Sequence, residues 1–150
     1  MSSATIGIGD PRSLLGAWDF TRGIVDHRAG SDYVATGRAV FEPFGETIRW
    51  HESGLLQRDG GEHPVMRTLL LRPAAVEGYW TVEFDDGRPF HDWMLGTPLL
   101  HECGADTYRG HVTLVDAEAW SIDWNVNGPV KDYVLTTTYR RPRMHDRAIA

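Results

Sequence analysis

Along most of this chain apolar and polar residues alternate, which is the period of a strand with one face buried. In GAWDFTRGIVDHR, Trp18, Phe20, Arg22 and Ile24 fall on one face, and AGSD then supplies a turn. DYVATGRAVFEP reads as a second strand, and PFGE turns the chain into ETIRWHESGLL, where Ile48, Trp50 and Glu52 share a face. RDGGEHP separates that segment from VMRTLLLR, after which GYWTVEF, RPFHDWML, DTYRGHVTLV, AWSIDWNV and VKDYVLTTTYRR follow as further strands. Helical signals are confined to Asp10-Pro11, which can cap and start a short turn through Leu14-Leu15. Regular strands joined by short Gly, Asp and Asn turns, without helices between them, predict an all-β fold. The simplest form is a single antiparallel meander closed into a barrel of about eight to ten strands.

Composition narrows the class. At 150 residues, 41% hydrophobic and 24% charged, the chain is long enough for one domain with its own core. We assign residues 1–142 to the barrel and 143–150 to a basic tail. That tail lies within RRPRMHDRAIA, read as a solvated terminus rather than an interaction arm. Met1 to Gly9 lacks a basic start followed by an apolar stretch, and no run approaches the roughly 18 apolar residues of a membrane span. The expectation is a cytoplasmic protein without a membrane partner. One cysteine cannot staple the chain to itself, which fits a reducing compartment. A net charge of −6 argues against nucleic acid as a partner, because phosphate binding needs a basic surface.

Some of these residues carry a resemblance. Gly16-Ala17-Trp18 after a short helical turn, answered by Arg140 or Arg141 at the end of the last strand, resembles the lipocalin and calycin pattern in which an arginine packs over the tryptophan. Further matches are Gly54-Leu55, Arg67, Phe84-x-Asp86-Gly87-Arg88-x-Phe90-His91 and His101-x-Cys103-x-x-Asp106-x-Tyr108-x-Gly110, then Trp124, Gly128-Pro129-x-Lys131-Asp132-Tyr133 and Tyr139-x-Arg141. Together they resemble an uncharacterised lipocalin-like, calycin-type family, a domain of unknown function. The resemblance implies the barrel and brings no activity, ligand or catalytic residue with it.

Function then rests on which side chains face inward. If Asp86-Gly87 is a two-residue hairpin loop, Asp85 faces Arg88, Phe84 faces Pro89 and Val82 faces His91, which puts His91 and Trp93 inside with Trp80, Val82 and Phe84. A loop longer by one residue would turn Phe90, Asp92 and Met94 inward instead. The shorter loop is our reading. Alternation elsewhere places Arg22, Glu52 and Arg67 inward, and Tyr108 with Val112 and Leu114 on the same wall.

Inward charges need a partner or a wet cavity, which is better explained by a polar pocket than by chance; the alternative is an Arg22–Glu52 ion pair that only plugs the barrel. The densest chemistry lies in FHDWMLGTPLLHECGADTYRG. His91, His101, Cys103 and Asp106 could ligate a metal, but their spacing matches no standard zinc module, and we expect none. Cys103 as a nucleophile, and His91 or His101 as a haem ligand, are weaker alternatives.

The preferred reading is a small-molecule site that binds a polar or anionic metabolite and acts on it by cofactor-free acid–base chemistry. His91 would carry the proton, and Tyr108 and Asp106 would donate or orient. Arg22, Glu52, Arg67, Trp50, Trp93 and Trp124 would line the lumen, with Leu99 to Gly104 as a loop at the mouth. The alternative is a carrier that binds without converting.

Overall fold

The computed structural model describes residues 9–93 and 98–143. A 3-10 turn, Pro11–Leu14, precedes ten antiparallel strands. They are β1 (Gly16–Asp26), β2 (Ser31–Phe44), β3 (Thr47–Arg58), β4 (Gly61–Pro73), β5 (Trp80–Phe84), β6 (Pro89–Trp93), β7 (Leu99–Cys103), β8 (Asp106–Asp116), β9 (Ala119–Asn127) and β10 (Asp132–Arg140). All belong to one sheet in the order β6-β5-β4-β3-β2-β1-β10-β9-β8-β7, with β1 and β10 paired, so the meander curls into a nearly closed barrel. No helix among the described residues is long and apolar enough to cross a membrane.

One end is plugged. Asp10 caps the 3-10 turn by accepting from the Arg12 amide at 2.9 Å, and the turn drives Leu14 and Pro11 into the barrel. The Trp18 indole N–H donates to the Leu14 carbonyl at 2.8 Å, and the Arg141 guanidinium carbon lies 3.9 Å from the Trp18 ring centroid. Arg141, not Arg140, therefore covers the tryptophan. Beneath it Trp120 stacks on Tyr139 at 4.1 Å, and Phe41 stacks on Trp50 at 5.0 Å.

Towards the other end the backbones of β2 and β3 come very close. Gly37 pairs with Gly54, and a Cβ on Gly37 would sit 2.1 Å from the Ser53 carbonyl oxygen. Only residues without side chains let the backbones approach that closely.

Four details differ from the alternation argument. Asp59 and Gly60 both adopt positive φ, so they alone turn the chain and the rest of RDGGEHP is strand. Leu99–Cys103 is β7 rather than a loop, because it ladders with β8 from Leu99↔Gly110 to Cys103↔Asp106. Leu114 is 37% exposed beside a register shift at the end of β8.

The β5–β6 turn is longer than two residues. The Phe84 amide donates to the Arg88 carbonyl at 2.8 Å, which encloses Asp85-Asp86-Gly87 with Gly87 at φ +89°. A β-bulge then absorbs the extra residue, since Val82 pairs with His91 while Glu83 pairs with Pro89. His91 and Trp93 regain the inward face expected of the shorter loop. Phe90, the extra residue, packs against the core as well.

Candidate functional site

Above the aromatic plug lies a buried charge cluster built by β1, β3, β4 and β10. Glu52 is 2% exposed. Its Oε1 accepts from Arg22 Nη2 at 2.8 Å and from Arg67 Nε at 3.2 Å, and Arg67 Nη2 lies 3.1 Å away as an ion-pair contact. Its Oε2 accepts from the Trp50 indole N–H at 3.0 Å and from the Tyr139 hydroxyl. Arg22 Nε donates to Thr137 Oγ1 at 2.8 Å.

Burial alone would push the Glu52 carboxyl up, but the Arg67 and Arg22 charges and the Tyr139 and Arg22 hydrogen bonds outweigh it and hold it below the usual carboxylate range. Burial, then the Glu52 charge, raises the Tyr139 phenol, which stays a donor. Two guanidiniums thus share one carboxylate, and neither pairs with a second acid among the described residues. One positive charge is left in excess, inside a chain of net charge −6.

That charge faces hollow space. Arg67 borders a cavity of about 220 Å³ with Phe20, Arg22, Glu52 and Val65. It also borders a cavity of about 540 Å³ at the mouth with Phe84, Arg88, Phe90, His101, Cys103 and Tyr108. At the rim Asp106 Oδ2 pairs with Lys131 Nζ at 3.0 Å, and Lys131 Nζ donates to the Tyr108 hydroxyl at 3.4 Å. Burial and a hydrogen bond with Tyr108 push the Tyr133 phenol up to about 12. Gly128 makes room for this arrangement, because a Cβ there would lie 2.0 Å from Asp106 Oδ1.

His91 sits behind the mouth cavity. Its Nδ1–H donates to the Asp92 carbonyl at 2.8 Å, which leaves Nε2 as a bare acceptor, buried and without a partner among the described residues. Phe90 lies 4.6 Å from it and Trp124 5.1 Å, between ring centroids. His91 borders a different hollow of about 300 Å³, beside the β6–β7 edge.

Burial lowers its pKa from 6.5 to about 4, so this imidazole is neutral at pH 7 and does not titrate there. An unfolded chain takes up the proton below about pH 6.5 while the folded one refuses it until about pH 4. Stability carried by neutral His91 is complete above the first value and is lost between the two. His91→Gln should therefore flatten the fall in stability from pH 6.5 to 4, measured by chemical unfolding at stepped pH. An unchanged slope would mean that the imidazole is solvated.

The structure thus brings Arg22, Glu52 and Arg67 together. Tyr108 and Asp106 meet through Lys131. Trp50 and Trp93 belong to the plug: Trp93 donates to the Gly9 carbonyl at 3.2 Å and meets Trp120 edge-on at 5.6 Å. Trp124 stacks on Phe90 at 5.3 Å. His101, rather than His91, is the imidazole beside Tyr108, at 5.4 Å. Sequence reasoning did not assign Tyr139, Lys131 or Tyr133 to the site, although continuing the alternation along β10 from Tyr133 through Thr137 to Tyr139 would have found the two tyrosines. Cys103 is exposed, and among the described residues no three His, Cys, Asp or Glu side chains are grouped to hold a metal ion.

A ten-stranded antiparallel sheet, plugged by stacked rings at one end and hollow around a charged cluster at the other, defines a small β-barrel with an internal cavity. The chain belongs to the family described as a family of unknown function, DUF6314, which it matches over residues 14–141. Among solved structures it is similar to the S-type phycobiliprotein lyase CPES from Guillardia theta, at 11% identity and a TM-score of 0.61, covering 88% of this chain and 90% of that one. It is also similar to the redesigned β-barrel mFAP0 bound to DFHBI, at 15% identity and a TM-score of 0.48, covering 86% of this chain and 99% of that one. At such identities the likeness is one of fold. No curated protein matches the chain.

Proposed function

We propose that this barrel binds a small organic anion in its mouth cavity, with Arg67 as the anchor. The observation that supports this most directly is the Glu52 cluster, which carries one positive charge more than it neutralises and presents it through Arg67 to two cavities. Arg67 donates one of its five N–H groups, Nε–H, to Glu52, and its side chain is 35% exposed. A partly desolvated guanidinium held in place by a buried carboxylate suits a carboxylate, phenolate or phosphate. Arg22 and Glu52 form the floor, Trp124 backs the aromatic wall, and Trp50 and Trp93 pack beneath.

Cys103 supplies the readout, because it is exposed and lines the same cavity, so an occupant should slow its alkylation by N-ethylmaleimide. Within a panel of small carboxylates and phosphates, those that protect Cys103 should bind Arg67→Met about 10- to 100-fold more weakly, the scale of a lost charge-assisted hydrogen bond. If no anion protects the thiol, or the variant binds as tightly as the parent, the reading is wrong.

A second reading, cofactor-free acid–base conversion of the bound molecule, has one observation in its favour: Lys131, fixed by Asp106, stands at the Tyr108 hydroxyl beside His101. In it Tyr108 donates a proton, Asp106 acts through Lys131, and His101 is the imidazole at hand, while His91 stays behind Phe90 and takes no part. Tyr108→Phe should then lower turnover by about 10²-fold, while His91→Gln should leave it within a few-fold of the parent. A ligand recovered unaltered after incubation would leave carriage as the function.

A further inference from the structure

We infer that the occupant of the mouth cavity is a flat aromatic anion, seated on Phe84 and clasped from above by Arg88. This rests on the anion-binding reading and adds the shape and chemistry of what is bound. Three rings form a column: Trp124 and Phe90 lie 5.3 Å apart at 16°, and Phe90 and Phe84 4.7 Å apart at 17°. Phe90 thus stacks with two rings, and His91 at 73° and His101 at 83° meet it edge-on. The column is fixed before any ligand arrives.

Phe84 ends it, and the Arg88 guanidinium lies over its ring, 5.2 Å from the centroid. Arg88 is a loose cap. Its side chain is 72% exposed, and its ion-pair partner is Asp86 on the same exposed turn, 2.7 Å away. Surface pairs of this kind hold weakly. A planar ring needs about 3.5 Å on each side, so Arg88 has to rise by about 2 Å to admit one.

The chemistry of the gap then selects its guest. A flat π-system continues the stack on Phe84, and its other face receives the guanidinium as a cation–π partner. A carboxylate or phenolate on that ring is within the same cavity as Arg67 and Arg88, against which Glu102 is the acid on the lining. A saturated anion of equal charge keeps the electrostatic contacts and loses both ring faces.

The test compares 2-naphthoate with decahydro-2-naphthoate, which share charge and carbon skeleton, by titration calorimetry and ligand proton NMR. The flat anion should bind about tenfold tighter, with its ring protons shifted upfield by the face-on Phe84. Phe84→Leu and Arg88→Met should each remove most of that advantage. Arg88→Met changes an exposed side chain, so it decides the matter should Phe84→Leu fail to fold. Equal binding of the two anions overturns the flat-ring inference and leaves anion binding standing. Failure of both to bind overturns anion binding itself, and the inference with it.

Discussion

Replacing Glu52 with alanine is expected to destabilise the fold by about 3–5 kcal/mol at neutral pH, measured by urea unfolding, because it strands buried positive charge. Arg22 and Arg67 would lose their shared counter-charge, and Trp50 N–H and the Tyr139 hydroxyl would lose their acceptor. A cycle of Arg22→Met with Glu52→Gln should show an interaction energy above about 0.5 kcal/mol. The acid response follows from the carboxyl lying below its ordinary range. Its contribution is complete above the pKa of an unfolded glutamate and is lost as the pH falls through the lower folded value, a loss that Glu52→Gln should abolish. A cost under about 1 kcal/mol for Glu52→Ala would mean that water reaches the cluster.

Trp18→Ala should cost about 3–5 kcal/mol, the usual scale for a deleted buried aromatic. The ring is 1% exposed, anchors the 3-10 turn through Leu14, and is wedged between Arg141 and Trp120. Its loss opens the plugged end. Arg141→Met should cost less, since it removes the guanidinium over Trp18 and its bonds to the Ala17 and Ser13 carbonyls but leaves the buried ring in place. A Trp18→Ala cost below about 1 kcal/mol would place the ring outside the barrel.

How much of this was legible in the sequence depended on whether a strict period of two held. Where it did, as at Trp18, Arg22, Ile48, Glu52 and Arg67, inward placement followed from spacing, and the Asp10-Pro11 cap signal gave the 3-10 turn. Between residues 84 and 104 it did not hold. Phe90 occupies a bulge, which no count of alternating residues reveals, and it is the residue that screens His91 from Tyr108. Leu99–Cys103 reads as polar loop because its side chains, apart from Leu99, are exposed or half-exposed while its backbone ladders with β8 along its whole length. The Glu52 cluster was half visible: its charges were evident, but Tyr139 comes from the opposite end of the chain, and nothing local links position 139 to position 52.

The two ends of the sheet, β6 and β7, are not joined by a ladder among the described residues. A fully laddered barrel has its bore set by strand number and stagger. Here Phe90 on β6 meets His101 on β7 at 5.1 Å, ring to ring, where amides would otherwise close the circle. Such contacts are worth about 0.5–1.5 kcal/mol each, far less than a run of backbone hydrogen bonds. Among the described residues the barrel is therefore closed along one line by side chains alone, and that line carries rings that face the mouth cavity. The seam and the Arg88 clasp over Phe84 thus border one cavity, so the stretch of wall held by side chains alone is also the wall that meets the guest.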